Sequence, residues 1–129
     1  MLWTSTVSTV NWNGSGCPGL LLGSSKGHVY WIPNQGTRQR HSFGEPIELA
    51  ADDKPILAAE RNSCPAAADW DGDGLVDLLF GAGDGSVCWA RNVGTAKQPK
   101  FAAPQQLVPP PKPGDERGTY AKICVTDFN

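Results

Sequence analysis

The hydrophobic residues of this chain fall in short runs closed by glycine, and no segment shows sustained helical spacing. In the second half the pattern predicts four strands, at residues 64–68, 78–80, 86–91 and 101–107, with a Gly-Asp-Gly turn at residues 83–85. The third of these alternates apolar and polar side chains in the manner of a strand. Four short strands in succession make a sheet, so we expect an all-β fold.

The chain repeats itself at an offset of 58 residues. At this offset residues 11–16 lie on residues 69–74, and the register holds without a gap as far as Lys54-Pro55 on Lys112-Pro113. The matched pairs include Gly23 and Gly81, Gly27 and Gly85, Val29 and Val87, Trp31 and Trp89, Asn34 and Asn92, Phe43 and Phe101, and Leu49 and Leu107. We therefore divide the chain into repeat 1 (residues 1–58), repeat 2 (residues 59–116) and the first strand of a third repeat (residues 117–129).

Four-stranded sheets that recur at roughly 40 to 50 residues are typical of β-propeller blades, and a repeat of 58 residues fits that pattern with longer loops. Residues 50–60 and the proline-rich residues 109–116 are predicted to be variable connectors between blades. We expect about two blades per chain, each of four antiparallel strands.

Residues 69–77 place four carboxylates at alternating positions around two glycines. A tight loop can direct side chains 1, 3, 5 and 9 and the carbonyl of residue 7 at one hard cation, and calcium is the natural partner of such an oxygen cage. The predicted ligands are Asp69, Asp71, Asp73, Asp77 and the carbonyl of Leu75.

The same acidic loop has two competing interpretations. Without a cation its charges repel, at a cost of about 4 kcal/mol for two charges 4 Å apart at an effective dielectric near 20. An ion-free turn rich in Asp and Gly stays open as an alternative. A helix-flanked EF-hand is disfavoured because its loop needs a Glu at position 12, where this chain has Phe80.

These residues resemble the FG-GAP or VCBS-type repeats of integrin-alpha-like β-propellers, over nearly the whole chain. The resemblance is carried by residues 69–81, Gly85-Ser86-Val87, Trp89, residues 92–95, Phe101, Pro104 and Leu107. It implies about one structural Ca²⁺ per chain, held by Asp69, Asp71, Asp73, the Leu75 carbonyl and Asp77. It also implies a role in binding or adhesion at an extracellular or cell-surface location.

Repeat 1 departs from the family pattern, because Asn11, Asn13, Ser15 and Gly19 occupy the four carboxylate positions. Calcium affinity depends on the number of charged ligands, so we expect this loop to bind no ion or to bind one weakly. Its Asn and Ser side chains are expected to hold the turn by hydrogen bonds within the loop. In the third repeat only Asp127 and Asn129 remain of the loop, too few for a site.

The composition argues against nucleic acid as a partner and against a membrane-spanning segment. The 129 residues carry a net charge of −2 with no basic patch, which argues against nucleic acid. No apolar run of about 18 residues predicts a membrane span, and no signal peptide follows Met1. The four cysteines, at 17, 64, 88 and 124, lack metal-ligand spacing and are interpreted as small buried hydrophobes with free thiols, with a disulfide as the alternative.

A two-blade chain leaves two open faces, since stacked repeats generally need three or more units. We therefore expect self-association that closes a propeller ring, or a longer parent chain that supplies the other blades. Three copies would give six blades, within the usual range of four to eight. Residues 120–127 repeat the strand at residues 64–69 and are expected to complete a neighbouring blade.

No catalytic constellation is found, so we do not expect an enzyme. His28 and His41 occupy different repeat positions, and neither adjoins a nucleophile in the sequence. The repeat-equivalent tryptophans, Trp12 with Trp70 and Trp31 with Trp89, are interpreted as packing between blades. The alternative is a glycan-stacking platform, for which Trp3 and the pair Tyr30-Trp31 are the candidates. Three functions stay open: a binding or adhesion module, a propeller lectin, and a non-catalytic accessory domain of a larger secreted enzyme.

Overall fold

The computed structural model describes residues 4–12 and 14–126, which form three antiparallel sheets and no helix. The first sheet has the order β1-β2-β3-β4, the second pairs β5 with β6, and the third has the order β10-β9-β8-β7. The strands are β1 (Thr4–Val10), β2 (Gly19–Ser24), β3 (Val29–Ile32), β4 (Ile47–Glu48), β5 (Ala50–Ala51), β6 (Lys54–Pro55), β7 (Cys64–Ala68), β8 (Asp77–Gly81), β9 (Val87–Ala90) and β10 (Gln105–Val108). The described residues contain no helix that is long and apolar enough to cross a membrane.

The four strands predicted for repeat 2 are present in their predicted order. β7 has the predicted bounds, and β8 and β9 differ from prediction by one residue at each end. The fourth strand begins at Gln105 rather than at Phe101, because Pro104 has no N–H to donate to a ladder. Phe101 instead forms an isolated bridge with Asn92, as Phe43 does with Asn34 in repeat 1.

The connector predicted at residues 50–60 contains a small hairpin, which the sequence analysis missed. β5 and β6 pair through Ala50 with Pro55 and Ala51 with Lys54. Both turn residues have left-handed backbones, with φ of 49° at Asp52 and 61° at Asp53. Such a two-residue turn matches the right-handed twist of a hairpin. The equivalent residues of repeat 2 include three consecutive prolines, and after Val108, the end of β10, residues 109–113 form no strand.

The strand predicted at residues 120–127 is not formed over residues 120–126, and Asp127 and Asn129 lie outside the described residues, as does Trp3. The segment still lies against repeat 2, since Tyr120 N–H donates to the Gly83 carbonyl and Ala121 N–H to the Ala82 carbonyl, both at 3.0 Å. The equivalent bonds join Asn62 to Ser25 at 3.3 Å and Ser63 to Ser24 at 3.1 Å. A strand needs a paired neighbour, and the described residues hold no counterpart of β8 for this segment.

The core lies between the two repeats, which contribute opposite faces to it. Repeat 1 supplies Val10, Trp12, Leu21, Val29 and Leu49 to this core. Repeat 2 supplies Leu78, Phe80, Ala90 and Phe101. The core residues of repeat 2 stand at repeat positions other than those that repeat 1 uses. We call the face that carries Trp12 or Trp70 the Trp face of its repeat, and the face that carries Phe43 or Phe101 the Phe face. The Trp face of repeat 1 therefore packs on the Phe face of repeat 2.

Polar contacts reinforce this packing along the first strand of each repeat. Thr6 Oγ1 donates to the Ser63 carbonyl at 3.1 Å, and Ser8 Oγ donates to the Pro65 carbonyl at 2.9 Å. Glycine allows the backbones to approach closely, because a Cβ at Gly23 would lie 2.0 Å from the Ser63 carbonyl oxygen. A Cβ at Gly81 would lie 2.0 Å from the Ala121 carbonyl oxygen, so the same approach recurs at the next junction.

Candidate metal centre

The acidic loop joins β7 to β8 and is wrapped around the side chain of Asp69. This carboxylate accepts the N–H groups of Gly72 at 2.8 Å, Asp73 at 3.1 Å and Gly74 at 2.9 Å. The two glycines have φ of 76° and 88°, the left-handed region in which a Cβ is disfavoured. The sequence thus closes the loop through one acceptor and two glycines.

Three of the predicted ligands come together. Asp69, Asp71 and Asp77 each place a carboxylate oxygen within 4.8 Å of the others. Two ligands of one Ca²⁺, each at 2.3–2.6 Å from the ion, lie at most about 5 Å apart. The separation and the all-oxygen donor set therefore fit a calcium ion at the centre of these three carboxylates.

Asp77 is the fully buried member of this group. Its carboxylate accepts the N–H of Trp70 at 3.1 Å and the N–H of Asn92 at 2.7 Å. The Asn92 side chain donates in turn to the Val76 carbonyl at 3.1 Å, which fixes this end of the loop. Within the described residues Asp77 forms no ion pair, and the charge of Arg91 acts on it from a longer distance. A buried carboxylate without an ion-pair partner is costly, so a cation among the three carboxylates would stabilise it.

Asp73 stands apart from the group of three, whereas the Leu75 carbonyl stays a predicted ligand. Asp73 Oδ1 accepts the N–H of Leu75 at 2.9 Å, while Oδ2 accepts Nη2 of Arg91 at 3.0 Å. The backbone N–H of Leu75, followed by the Arg91 guanidinium, lowers the pKa of the Asp73 carboxyl. Leu75 itself is half-buried. In this conformation Asp73 therefore interacts with an arginine.

Arg91 is the residue of the site that the sequence analysis missed. Its Nε lies 2.5 Å from Oδ2 of Asp71, and its hydrogen bond to Asp73 raises the pKa of its guanidinium. The signal was present in the strand register, because Leu78 pairs with Ala90 and the next pair therefore sets Arg91 beside Asp77. Finding it required the register of two predicted strands, which spacing within the loop does not supply.

The loop of repeat 1 keeps its turn with neutral groups, as predicted. Ser15 Oγ donates to Oδ1 of Asn11 at 3.5 Å, and Cys17 N–H donates to Ser15 Oγ at 3.2 Å. Asn13 lies outside the described residues. At the position of Asp77 stands Gly19, where a Cβ would lie 2.5 Å from the Ile32 carbonyl oxygen. The described part of this loop therefore offers no carboxylate to a cation.

Each of the two histidines contacts neighbouring side chains of repeat 1. His28 pairs through Nδ1 with Glu48 and its ring stacks on Tyr30 at 6.1 Å. His41 shares a hydrogen bond of 3.1 Å with the Asn34 side chain and stacks on Phe43 at 5.9 Å. Both histidines are thus engaged in side-chain contacts within repeat 1.

All four cysteines are free thiols. Cys64 is buried in β7, and Cys88 is half-buried, with the pKa of its thiol raised by burial. The interpretation as buried hydrophobes is wrong for Cys124, which is exposed.

Comparison of the chain with protein-family models, with curated proteins and with solved structures gives no match.

Proposed function

We propose that this chain is a calcium-stabilised β-propeller repeat module that acts in binding or adhesion outside the cell or at its surface, rather than in catalysis. The observation that carries the proposal is the convergence of Asp69, Asp71 and Asp77 within 4.8 Å, on a loop that buries one of the three carboxylates. An oxygen cage supplied by one short loop is suited to a structural Ca²⁺.

The arrangement of the sheets supports the propeller part of the proposal. Each repeat has a four-stranded antiparallel sheet whose strands are ordered as in the sequence, which is the organisation of a propeller blade. The repeats stack Trp face on Phe face, so a further repeat can be added on either side in the same orientation. Such an interface joins two different surfaces and leads either to a closed ring or to an open filament.

The two outer faces of the pair are complementary, which supports self-association. Trp12 is 5% exposed and Phe101 is 4% exposed, and their rings pack with centroids 5.5 Å apart. Their repeat equivalents at the outer faces, Trp70 and Phe43, are 49% and 47% exposed. We propose that Trp70 of one molecule packs on Phe43 of a second copy.

The loop that carries Phe43 has the same Asn-to-backbone hydrogen bonds as the loop that carries Phe101. The Asn34 side-chain oxygen accepts the N–H groups of Gly36 at 3.0 Å and Ser42 at 3.2 Å. Asn92 accepts those of Gly94 at 3.0 Å and Lys100 at 3.2 Å in repeat 2. Because the two loops have the same hydrogen bonds, docking requires little rearrangement around Phe43. Residues 120–126 occupy the place on repeat 2 that β1 of the second copy would need, so association displaces that segment.

Sedimentation at micromolar concentration tests the self-association. We expect an assembly larger than a monomer, which Trp70→Ala and Phe43→Ala each dissociate. Val93→Ala is the matched control, since Val93 is exposed and belongs to neither ring pair. A well-folded wild-type monomer would contradict self-association and favour a longer parent chain, whether an adhesion protein or a secreted enzyme that carries this module.

Glycan binding is the second candidate, favoured by a cleft of about 550 Å³ between the repeats. Trp31, Asp52 and Lys97 contribute to its lining, which combines an aromatic ring with polar groups of both charges. The ring of Trp31 would supply the stacking surface for a sugar in this cleft. A glycan array probed with wild type and with Trp31→Ala, which removes the ring, distinguishes this candidate. Absence of glycan binding by the wild type would exclude it.

The calcium part of the proposal is tested by thermal unfolding in excess calcium chloride and in excess chelator. A ligand that binds only the folded state stabilises it by about 2.7 kcal/mol at a hundredfold excess over its Kd. We expect a higher melting temperature in calcium for the wild type and no such shift for Asp71→Ala. Equal wild-type melting temperatures in the two conditions would overturn the proposed calcium site.

A further inference from the structure

Arg91 links two of the four loop carboxylates from outside the loop. Its Nε lies 2.5 Å from Asp71 Oδ2, and its Nη2 lies 3.0 Å from Asp73 Oδ2. Asp71 belongs at the same time to the group of three carboxylates that fits a cation. A single guanidinium therefore contacts one carboxylate of that group and the predicted carboxylate ligand, Asp73, that stands outside it.

Comparison of the two repeats ties this arginine to the acidic loop. The position of Arg91 in repeat 1 is taken by Pro33, and the four carboxylate positions there hold Asn11, Asn13, Ser15 and Gly19. The repeat without loop charges is also without the arginine. The guanidinium thus accompanies the carboxylates, as expected for a group whose role is to offset their charge.

A guanidinium is permanently charged in proteins and presents its N–H donors in a fixed fork. Arg91 cannot leave the carboxylates by losing its proton, so a cation gains them only by competing with it. The side chain of Arg91 is 47% exposed, which leaves it room to swing into solvent. One guanidinium against four carboxylates still leaves the loop negative, and a divalent ion offsets more of that charge.

We propose that Arg91 is the resident counter-cation of the acidic loop, which holds Asp71 and Asp73 in the cation-free protein and releases them when Ca²⁺ binds. This inference rests on the proposed calcium site. It explains why one predicted carboxylate ligand lies outside the group of three carboxylates. Asp73, predicted as a ligand, is retained by Arg91 and joins Asp69, Asp71 and Asp77 once the arginine moves away. Arg91 thereby lowers the affinity of the loop for Ca²⁺ and keeps its carboxylates ordered in the absence of the ion.

Calorimetric titration of the full chain with calcium chloride tests the role of Arg91. Because an exposed ion pair contributes little and Arg91 makes two, we expect Arg91→Gln to bind Ca²⁺ on the order of two- to thirtyfold more tightly than the wild type. The variant is also expected to melt at a lower temperature in chelator, where nothing replaces the guanidinium. Arg117→Gln is the matched control, since Arg117 pairs with Asp115 in the proline-rich connector at 2.7 Å.

The outcomes separate this inference from the calcium site itself. Tighter binding by Arg91→Gln with unchanged binding by Arg117→Gln supports the competitor role. Equal or weaker binding by Arg91→Gln overturns it and makes Arg91 a brace that supports the ligands instead. Binding by the variant alone would overturn calcium binding by the wild type while supporting the competitor role. No binding by either protein would overturn both proposals, and the circular dichroism of the sheets checks that each variant is folded.

Discussion

Residues 11–19 and residues 69–77 join the first two strands of their repeats, and different side chains close the two loops. Asn11 and Ser15 use neutral hydrogen bonds, whereas Asp69 gathers three backbone N–H groups on one carboxylate. Both loops lead into a second strand of the same four-stranded order. The connection itself therefore does not need the charges. The carboxylates of repeat 2 need a separate explanation, and the proposed cation site is one.

A second contrast concerns residues that are identical in the two repeats. Trp12 is buried against Phe101, whereas Trp70 is exposed in the same loop position. The difference lies in the neighbour. Repeat 1 has another repeat on its Trp face, whereas among the described residues no further repeat lies on that of repeat 2. Whether such a residue is buried thus depends on the neighbouring repeat and not on its position within its own repeat.

The largest expected effect comes from removing the shared ring contact. Phe101→Ala should reduce the free energy of unfolding by about 3–5 kcal/mol, the usual cost of deleting a buried aromatic side chain. Phe43→Ala at the equivalent position should change it by less than about 0.5 kcal/mol in the monomer, because Phe43 is exposed. Urea unfolding measures both. Equal losses would show that Phe43 is buried in solution.

The second largest expected effect is stabilisation by calcium, which should depend on the loop of repeat 2 and not on the loop of repeat 1. In saturating calcium chloride the wild type is expected to gain about 2.7 kcal/mol at a hundredfold excess over the Kd. Asp71→Ala should lose this gain, whereas Asn11→Ala in repeat 1 should retain it. Chemical unfolding with and without the ion measures the difference. A reduced gain in Asn11→Ala would mean that the neutral loop also binds the ion.

The ninth loop position has opposite requirements in the two repeats. Asp77→Ala leaves the buried N–H of Asn92 and the part-buried N–H of Trp70 without an acceptor, and we expect a loss of about 1–3 kcal/mol in chelator. Gly19→Ala should also destabilise, since its Cβ would lie 2.5 Å from a carbonyl oxygen. Denaturant titration of both variants measures the losses. An unchanged Gly19→Ala would show that the neutral loop has room for a side chain.

The smallest effect concerns the hydroxyl groups between the repeats. Ser8→Ala removes the hydrogen bond to the Pro65 carbonyl and should cost about 1 kcal/mol. The equivalent position in repeat 2 is Ala66, where Ala66→Ser is expected to change stability by less than about 0.5 kcal/mol. Urea midpoints of the two variants compare the junctions. A larger change at Ala66 would show that the second junction is packed like the first.

The sequence predicted those features that depend on local pattern. Alternation and glycine spacing located the four strands of repeat 2, and the spacing of the aspartates located the loop in which Asp69, Asp71 and Asp77 converge. The hairpin at residues 50–55 was missed because it depends on two aspartates with left-handed backbones. Arg91 was missed because its position depends on pairing between strands.

The C-terminal segment shows a further limit of prediction by repeat. Residues 120–126 match the sequence pattern of β7 but form no strand, since β7 owes its ladder to pairing with β8. The backbone contacts of Tyr120 and Ala121 are nevertheless those of Asn62 and Ser63. The segment was predicted to complete a neighbouring blade, whereas Tyr120 and Ala121 bond to repeat 2 of their own chain.

At Gly23 and at Gly81 another backbone segment approaches so closely that an added methyl group would overlap it. A methyl group at Gly23 would overlap the Ser63 carbonyl and is expected to separate repeat 2 from repeat 1. A methyl at Gly81 would leave that junction intact and overlap the Ala121 carbonyl instead. In the proposed assembly a strand of the second copy would pack at this position, so Gly81→Ala is expected to prevent a further repeat from adding to repeat 2.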